Sequence, residues 1–202
     1  MTEKEERTEE WIFLFDGESL EGWDATGNKE GWTVDDGAIL CLAKRGGYLY
    51  TLEEYDDFVL SLEFKIEEGV NSGVFFRVSD IRDPVNTGLE VQILDSFGRE
   101  KMDSHECGAV YDLVAPAKNA CKPPGEWNNL VITCRDNIVV VELNGEKVVE
   151  MDLDQWDTPG KNPDGTRNKF KYAWRDMPRK GRIALQDHNG RVWFRNIRLK
   201  PL

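Results

Sequence analysis

The segment Phe58-Val59-Leu60-Ser61-Leu62-Glu63-Phe64-Lys65-Ile66 constrains the fold of this chain more than any other. Phe58, Leu60, Leu62, Phe64 and Ile66 recur at every second position, with Ser61, Glu63 and Lys65 between them. A period of two places these sets on opposite faces of an extended strand, which a helix cannot do. A strand with one apolar face needs a second layer to cover it. Residues 138–143 and 146–151 flank Asn144-Gly145. That pair supplies the two positive-φ residues of a type I′ hairpin turn. Residues 11–15, 38–42, 73–78, 89–94, 128–135, 182–187 and 192–200 read as further strands. No segment sustains an apolar stripe of helical period. The expected fold is all-β, an antiparallel sandwich or barrel.

A chain of 202 residues can hold one core without disulfide or metal support. The expected organisation is an acidic, disordered tail over 1–10 and a single β-sandwich domain over 11–202. A net charge of −12 opposes general binding to nucleic acid or to an anionic membrane. No apolar run approaches bilayer length. The first ten residues, rich in Glu, do not resemble a signal peptide. A native Met1 would therefore mean a cytoplasmic protein, and a removed leader a periplasmic or secreted one. Cys41, Cys107, Cys121 and Cys134 include no C-x-x-C pair. They read as buried free thiols, with a Cys107–Cys121 bridge as the alternative.

Two long stretches interrupt the strands, 95–126 and 154–180. Segments of that length are functional or contain short elements. The second carries seven basic residues, Lys161, Arg167, Lys169, Lys171, Arg175, Arg179 and Lys180, against four acidic ones, together with Trp156, Phe170, Tyr172 and Trp174. It reads either as a lid over a site or as a solvated loop pinned by its aromatics.

Nucleotide-binding glycine motifs, a nucleophile elbow and H-E-x-x-H are all absent, and His105 and His188 are the only histidines. Along 89–94, Leu89, Val91 and Ile93 share one face, and Glu90 and Gln92 the other. A carboxylate beside an amide can bind hydroxyls and move protons. An ordinary polar sheet face has the same pattern. Asp95 joins this face only through a bulge. In Gln186-Asp187-His188-Asn189-Gly190, Asp187 or Gln186 can orient an imidazole suited to proton transfer, or Asp187 and Asn189 simply cap a turn. Arg77 ends an apolar strand and must snorkel or meet a carboxylate, for which Glu90 is a candidate.

Several motifs recur in a recognisable order. They are Phe15-Asp16-Gly17, Gly22-Trp23, Gly47-Tyr48-Leu49-Tyr50-Thr51, Asn71-Ser72-Gly73, Phe76-Arg77 and Gly88-Leu89-Glu90-Val91-Gln92-Ile93-Leu94-Asp95. Gly108-Ala109-Val110-Tyr111, Gly125-Glu126-Trp127-Asn128, Leu143-Asn144-Gly145, Leu185-Gln186-Asp187-His188 and Phe194-Arg195-Asn196-Ile197 follow. Together they resemble the 3-keto-disaccharide hydrolase domain family, from about residue 11 to the end. The resemblance implies a concanavalin A-like β-sandwich, a jelly roll whose concave sheet forms the site. It implies activity on glycosides oxidised at C3.

A ketone at C3 acidifies the C2 proton, so a base can remove it and the C1 substituent can leave by elimination before water adds. On this reading Glu90 and His188 transfer protons, and Arg77 and Gln92 bind or polarise sugar oxygens. Tyr111, Gln186, Asp187 and Arg195 form walls or supports. A divalent metal acting on the ketone is compatible with this chemistry, but no ligand spacing demonstrates one. The expected partner is an oxidised or ordinary carbohydrate, and the oligomeric state is open. Two alternatives stand beside this. One is a non-catalytic carbohydrate-binding module. The other is a β-glucanase-like hydrolase, since Glu90, Gln92 and Asp95 match in part the E-x-D-x-x-E strand of sandwich-fold glucanases.

Overall fold

Thirteen strands are present among residues 10–202, which are the residues the computed structural model describes. The expected acidic tail lies outside the described residues except for Glu10. The strands are β1 (Ile12–Phe13), β2 (Trp23–Ala25), β3 (Trp32–Asp35), β4 (Ala38–Cys41), β5 (Tyr48–Thr51), β6 (Phe58–Ile66) and β7 (Asn71–Val78). They continue with β8 (Leu89–Leu94), β9 (Asn128–Arg135), β10 (Ile138–Leu143), β11 (Glu146–Asp152), β12 (Arg182–Gln186) and β13 (Val192–Pro201). One sheet has the order β11-β10-β9-β6-β13-β4-β3, with β1 also paired to β13. The other has the order β2-β5-β12-β7-β8. All pairings are antiparallel. This is the all-β sandwich that the alternation requires.

The alternation of β6 settles which way it faces. Phe58, Leu60, Leu62, Phe64 and Ile66 are buried, and they share one core with Val74, Phe76, Leu89, Val91, Ile93, Ile183 and Leu185 of the other sheet. Each such side chain contributes roughly 1.5–3 kcal/mol by leaving water. The Asn144-Gly145 turn closes β10 onto β11, with φ of +53° and +80° at its two residues. Three short strands, β2, β3 and β5, escape the sequence pattern. In β5, Leu49 and Thr51 point inward and Tyr48 and Tyr50 outward, so both faces carry side chains that look apolar and the contrast vanishes. All four cysteines are free thiols.

Arg77 departs from its expected place. It sits at a bulge in β7 with φ of +53° and is 2% exposed. Its guanidinium reaches across to the eight-stranded sheet rather than to Glu90. Nε donates to the Asp56 carbonyl at 3.0 Å, Nη1 to the Asp136 carbonyl at 2.7 Å and Nη2 to Asp57 Oδ1 at 2.9 Å. The same Asp57 oxygen accepts from the Asp136 backbone N–H at 2.8 Å. The planar fork of Arg thus ties β7 to the start of β6 and the β9–β10 turn. Removing one member of a buried, charge-assisted set leaves the others unpaired. Arg77→Ala is expected to cost about 3 kcal/mol in urea unfolding. A loss below about 1 kcal/mol would mean the clamp is not structural.

Candidate active site

The alternation in β8 decides the position of the site. Leu89, Val91 and Ile93 enter the core, which sends Glu90 and Gln92 to the outer face of the five-stranded sheet. On β7, Gly73 pairs with Gln92 and Phe75 with Glu90, and Asn71 follows two residues before Gly73 on the same face. On β12, Gln186 lies across from Tyr48, and His188 follows just past the strand end. Residues 108–111 run along the free edge of β8. Gly108 N–H donates to the Gln92 carbonyl at 2.9 Å, Gln92 N–H to the Ala109 carbonyl at 3.0 Å and Tyr111 N–H to the Glu90 carbonyl at 2.9 Å. This covers the edge and sets Tyr111 beside Glu90.

The basic segment 154–180 supplies the last wall. Trp156, Phe170 and Trp174 are buried and anchor it to the core. Its backbone at Lys169 donates to Asp112 Oδ2 at 2.8 Å, and Lys169 Nζ lies 4.1 Å from the centre of the Tyr111 ring. The aromatics pin the segment, and Lys169 reaches from it into a cavity. Asn71, Glu90, Gln92, Tyr111, Lys169, Gln186 and His188 line one cavity of about 70 Å³.

Glu90 is 8% exposed, and burial pushes its carboxyl up to about 7, against a smaller downward pull from the Lys169 ammonium. Its place depends on Gly73. A Cβ built on Gly73 would stand 2.2 Å from Glu90 Oε1, so only a glycine lets the carboxyl lie over the strand there. Gln92 Oε1 and Gln186 Oε1 are buried without a hydrogen-bond partner. Unmet buried acceptors are costly, and a ligand rich in hydroxyls would satisfy them. Burial and then the charges of Glu90, Asp112 and Asp103 push the Tyr111 hydroxyl up, which keeps it a donor. Tyr48 is raised chiefly by burial, with the Gln186 amide pulling the other way.

Of the residues expected from sequence, Glu90, Gln92, Tyr111, Gln186 and His188 meet in this cavity. Asp187 stands behind it. Its carboxylate accepts from Gly46 N–H at 2.7 Å and Asn189 N–H at 2.9 Å, which holds the turn bearing His188. Arg77 is in the corner clamp described above. Arg195 lies on the outer face of the opposite sheet, where Nε donates to Glu63 at 2.6 Å and the guanidinium stacks 3.9 Å from the Trp127 ring centre. Asp95 turns away to accept from Gly69 N–H at 2.9 Å. The sequence shows Asn71 only within a family motif and Lys169 only as one of seven basic residues, and neither is assigned to the site from it. The alternation of β7 was sufficient to find Asn71, whereas nothing local distinguishes Lys169 from six other basic residues of its loop. Among the described residues no group of three or more His, Cys, Asp or Glu is placed to hold a metal ion.

The 3-keto-alpha-glucoside-1,2-lyase-like domain matches residues 10–200. The chain belongs to that family. A 3-keto-disaccharide hydrolase of Bacteroides thetaiotaomicron is 29% identical over 95% of this family member and 78% of the relative. A crystal structure of a candidate glycosyl hydrolase from Parabacteroides distasonis superposes with a TM-score of 0.86 at 35% identity, covering 96% of this chain and all of the other. A Bacillus subtilis protein with a galectin-like fold, 11% identical with a TM-score of 0.54, shares the sandwich alone.

The buried carboxyl has a consequence for stability. Folding raises the Glu90 pKa from the usual 4.5 to about 7, so the folded state holds this proton more tightly. Stability therefore falls as pH rises between those values. Glu90→Gln removes that cost. The variant should be about 3 kcal/mol more stable than the parent at pH 8 and gain little at pH 4, by urea unfolding. Equal effects at both pH values would show that the carboxyl titrates normally.

Proposed function

We propose that this protein cleaves glycosides bearing a ketone at C3, by elimination across C1–C2 followed by addition of water. The observation that carries the reading is Glu90, a buried carboxylate drawn up to about 7, facing Lys169 in a cavity walled by two amides whose oxygens lack a hydrogen-bond partner. A base is most effective when its pKa lies near the working pH. The family's description as a 1,2-lyase and the relative's name as a 3-keto-disaccharide hydrolase support the same chemistry.

Glu90 takes the C2 proton as the C2–H electron pair moves toward C3 and the ketone oxygen becomes an enolate. The Lys169 ammonium, the Gln92 amide and the Tyr111 hydroxyl are the donors available to that oxygen. Lys169 thus supplies the cation first sought in Arg77. Collapse of the enolate breaks the C1–O bond. The departing oxygen takes a proton from His188 or solvent, water adds at C1 and gives up a proton to that same donor, and the Glu90 proton returns to C2. Gln186 and Asn71 hold sugar hydroxyls.

The glucanase alternative needs two carboxylates flanking one bond. Among the described residues lining the cavity Glu90 is the sole carboxylate, since position 92 is an amide and Asp95 is engaged with Gly69.

A panel pairing each glycoside with its 3-keto form tests the reading. Cleavage confined to keto forms is expected. Cleavage of the unoxidised partners would instead support the glucanase, and binding without turnover the module. With a keto substrate, kcat/KM should rise with pH through about 7, because Glu90 must be ionised to act. Glu90→Gln should slow deuterium incorporation at C2 by roughly 100-fold or more. Unchanged exchange would transfer the base to His188.

A further inference from the structure

A second, larger hollow of about 440 Å³ opens on the same sheet face, lined by Thr26, Tyr48, Tyr50, Ile81, Arg82 and Pro84. Tyr48 links the two, since its hydroxyl interacts with Gln186 and feels the charge of Glu90. In the order β5-β12-β7-β8 the tyrosine strand lies three strands from Glu90, a separation of about 14 Å at the usual strand spacing. That is the scale of a glycoside with its aglycone. The Glu90 cavity measures only about 70 Å³, so a C1 substituent has this hollow to enter.

We propose that the hollow is the subsite for an aromatic aglycone. This deepens the reading of the previous section and rests on it. Several polar groups of the hollow have protein partners, and Arg82 stands at its exposed rim. Thr26 Oγ1 accepts from Tyr48 N–H at 2.9 Å, Tyr50 donates to Asp24 at 3.5 Å, and Arg82 is held by both oxygens of Asp80 at 2.9 and 2.8 Å. A second sugar ring would set most of its hydroxyls against ring and aliphatic surface. What remains open is ring and aliphatic surface: Tyr48, braced edge-on by Phe75 at 5.0 Å, with Tyr50, Ile81 and Pro84. Such surface suits a planar apolar ring. A phenol is also a leaving group with a pKa of about 10, which eases departure from a cavity with one carboxylate.

The test compares three 3-keto-glucosides, carrying 4-methylumbelliferyl, methyl or glucosyl at C1, in the parent, Tyr50→Ala and Ile81→Ser proteins. Each variant should raise KM for the aryl substrate about tenfold, leave its kcat within about twofold, and change neither constant for the other two. An equal change for all three substrates, a loss specific to the disaccharide, or no change at all would overturn the subsite. If the parent cleaves none of them, the proposed reaction falls, and 4-methylumbelliferone binding followed by NMR decides the hollow alone. Binding weakened in both variants supports it, and binding unaffected by either removes it.

Discussion

The contact between the two sheets governs everything else in this molecule. Leu89, Val91 and Ile93 fill the core from the short sheet against Leu60, Leu62 and Phe64 from the long one. A slip of one residue in β8 would drive Glu90 and Gln92 into that core and expose three apolar side chains, so the register is held by hydrophobic burial. Arg77 adds a second lock at one corner, where charge-assisted hydrogen bonds reach the start of β6 and the β9–β10 turn. The face that carries the candidate site is thereby the back of a surface that packing makes rigid.

On that face the decisive property is dryness. Glu90 lies over a strand position with no side chain, beneath Tyr111 and near Lys169, and it is almost sealed from water. A carboxylate so placed is a stronger base than one at the surface, and it is held by a fold that would be more stable without its charge. The single lysine close by tempers the cost of ionisation and offers a donor where negative charge would develop.

Two arginines expected near the cavity stand elsewhere, for reasons that lie in strand pairing. Arg77 did need an acid and a buried set of acceptors, but the bulge with positive φ turned it toward Asp57 instead of Glu90. Arg195 falls beside Glu63 in the antiparallel register of β13 and β6, on the side of the sandwich away from the cavity. In both cases pairing between strands remote in sequence made the choice, and a local window contains no trace of it.

The chain by itself determined the sandwich, the inward and outward faces of β6 and β8, the hairpin at Asn144-Gly145, and hence the common face of Glu90 and Gln92. These follow from periods of two and from backbone conformations that only certain residues adopt, both of which are local. Tertiary structure alone decided that His188, Tyr111 and Lys169 meet those two residues. They arrive from a strand end, an edge segment and a long loop, placed by aromatic anchors and backbone hydrogen bonds between distant residues. The raised pKa of Glu90 belongs to the same class, because desolvation is a property of everything packed around a group and not of the residues beside it in the chain.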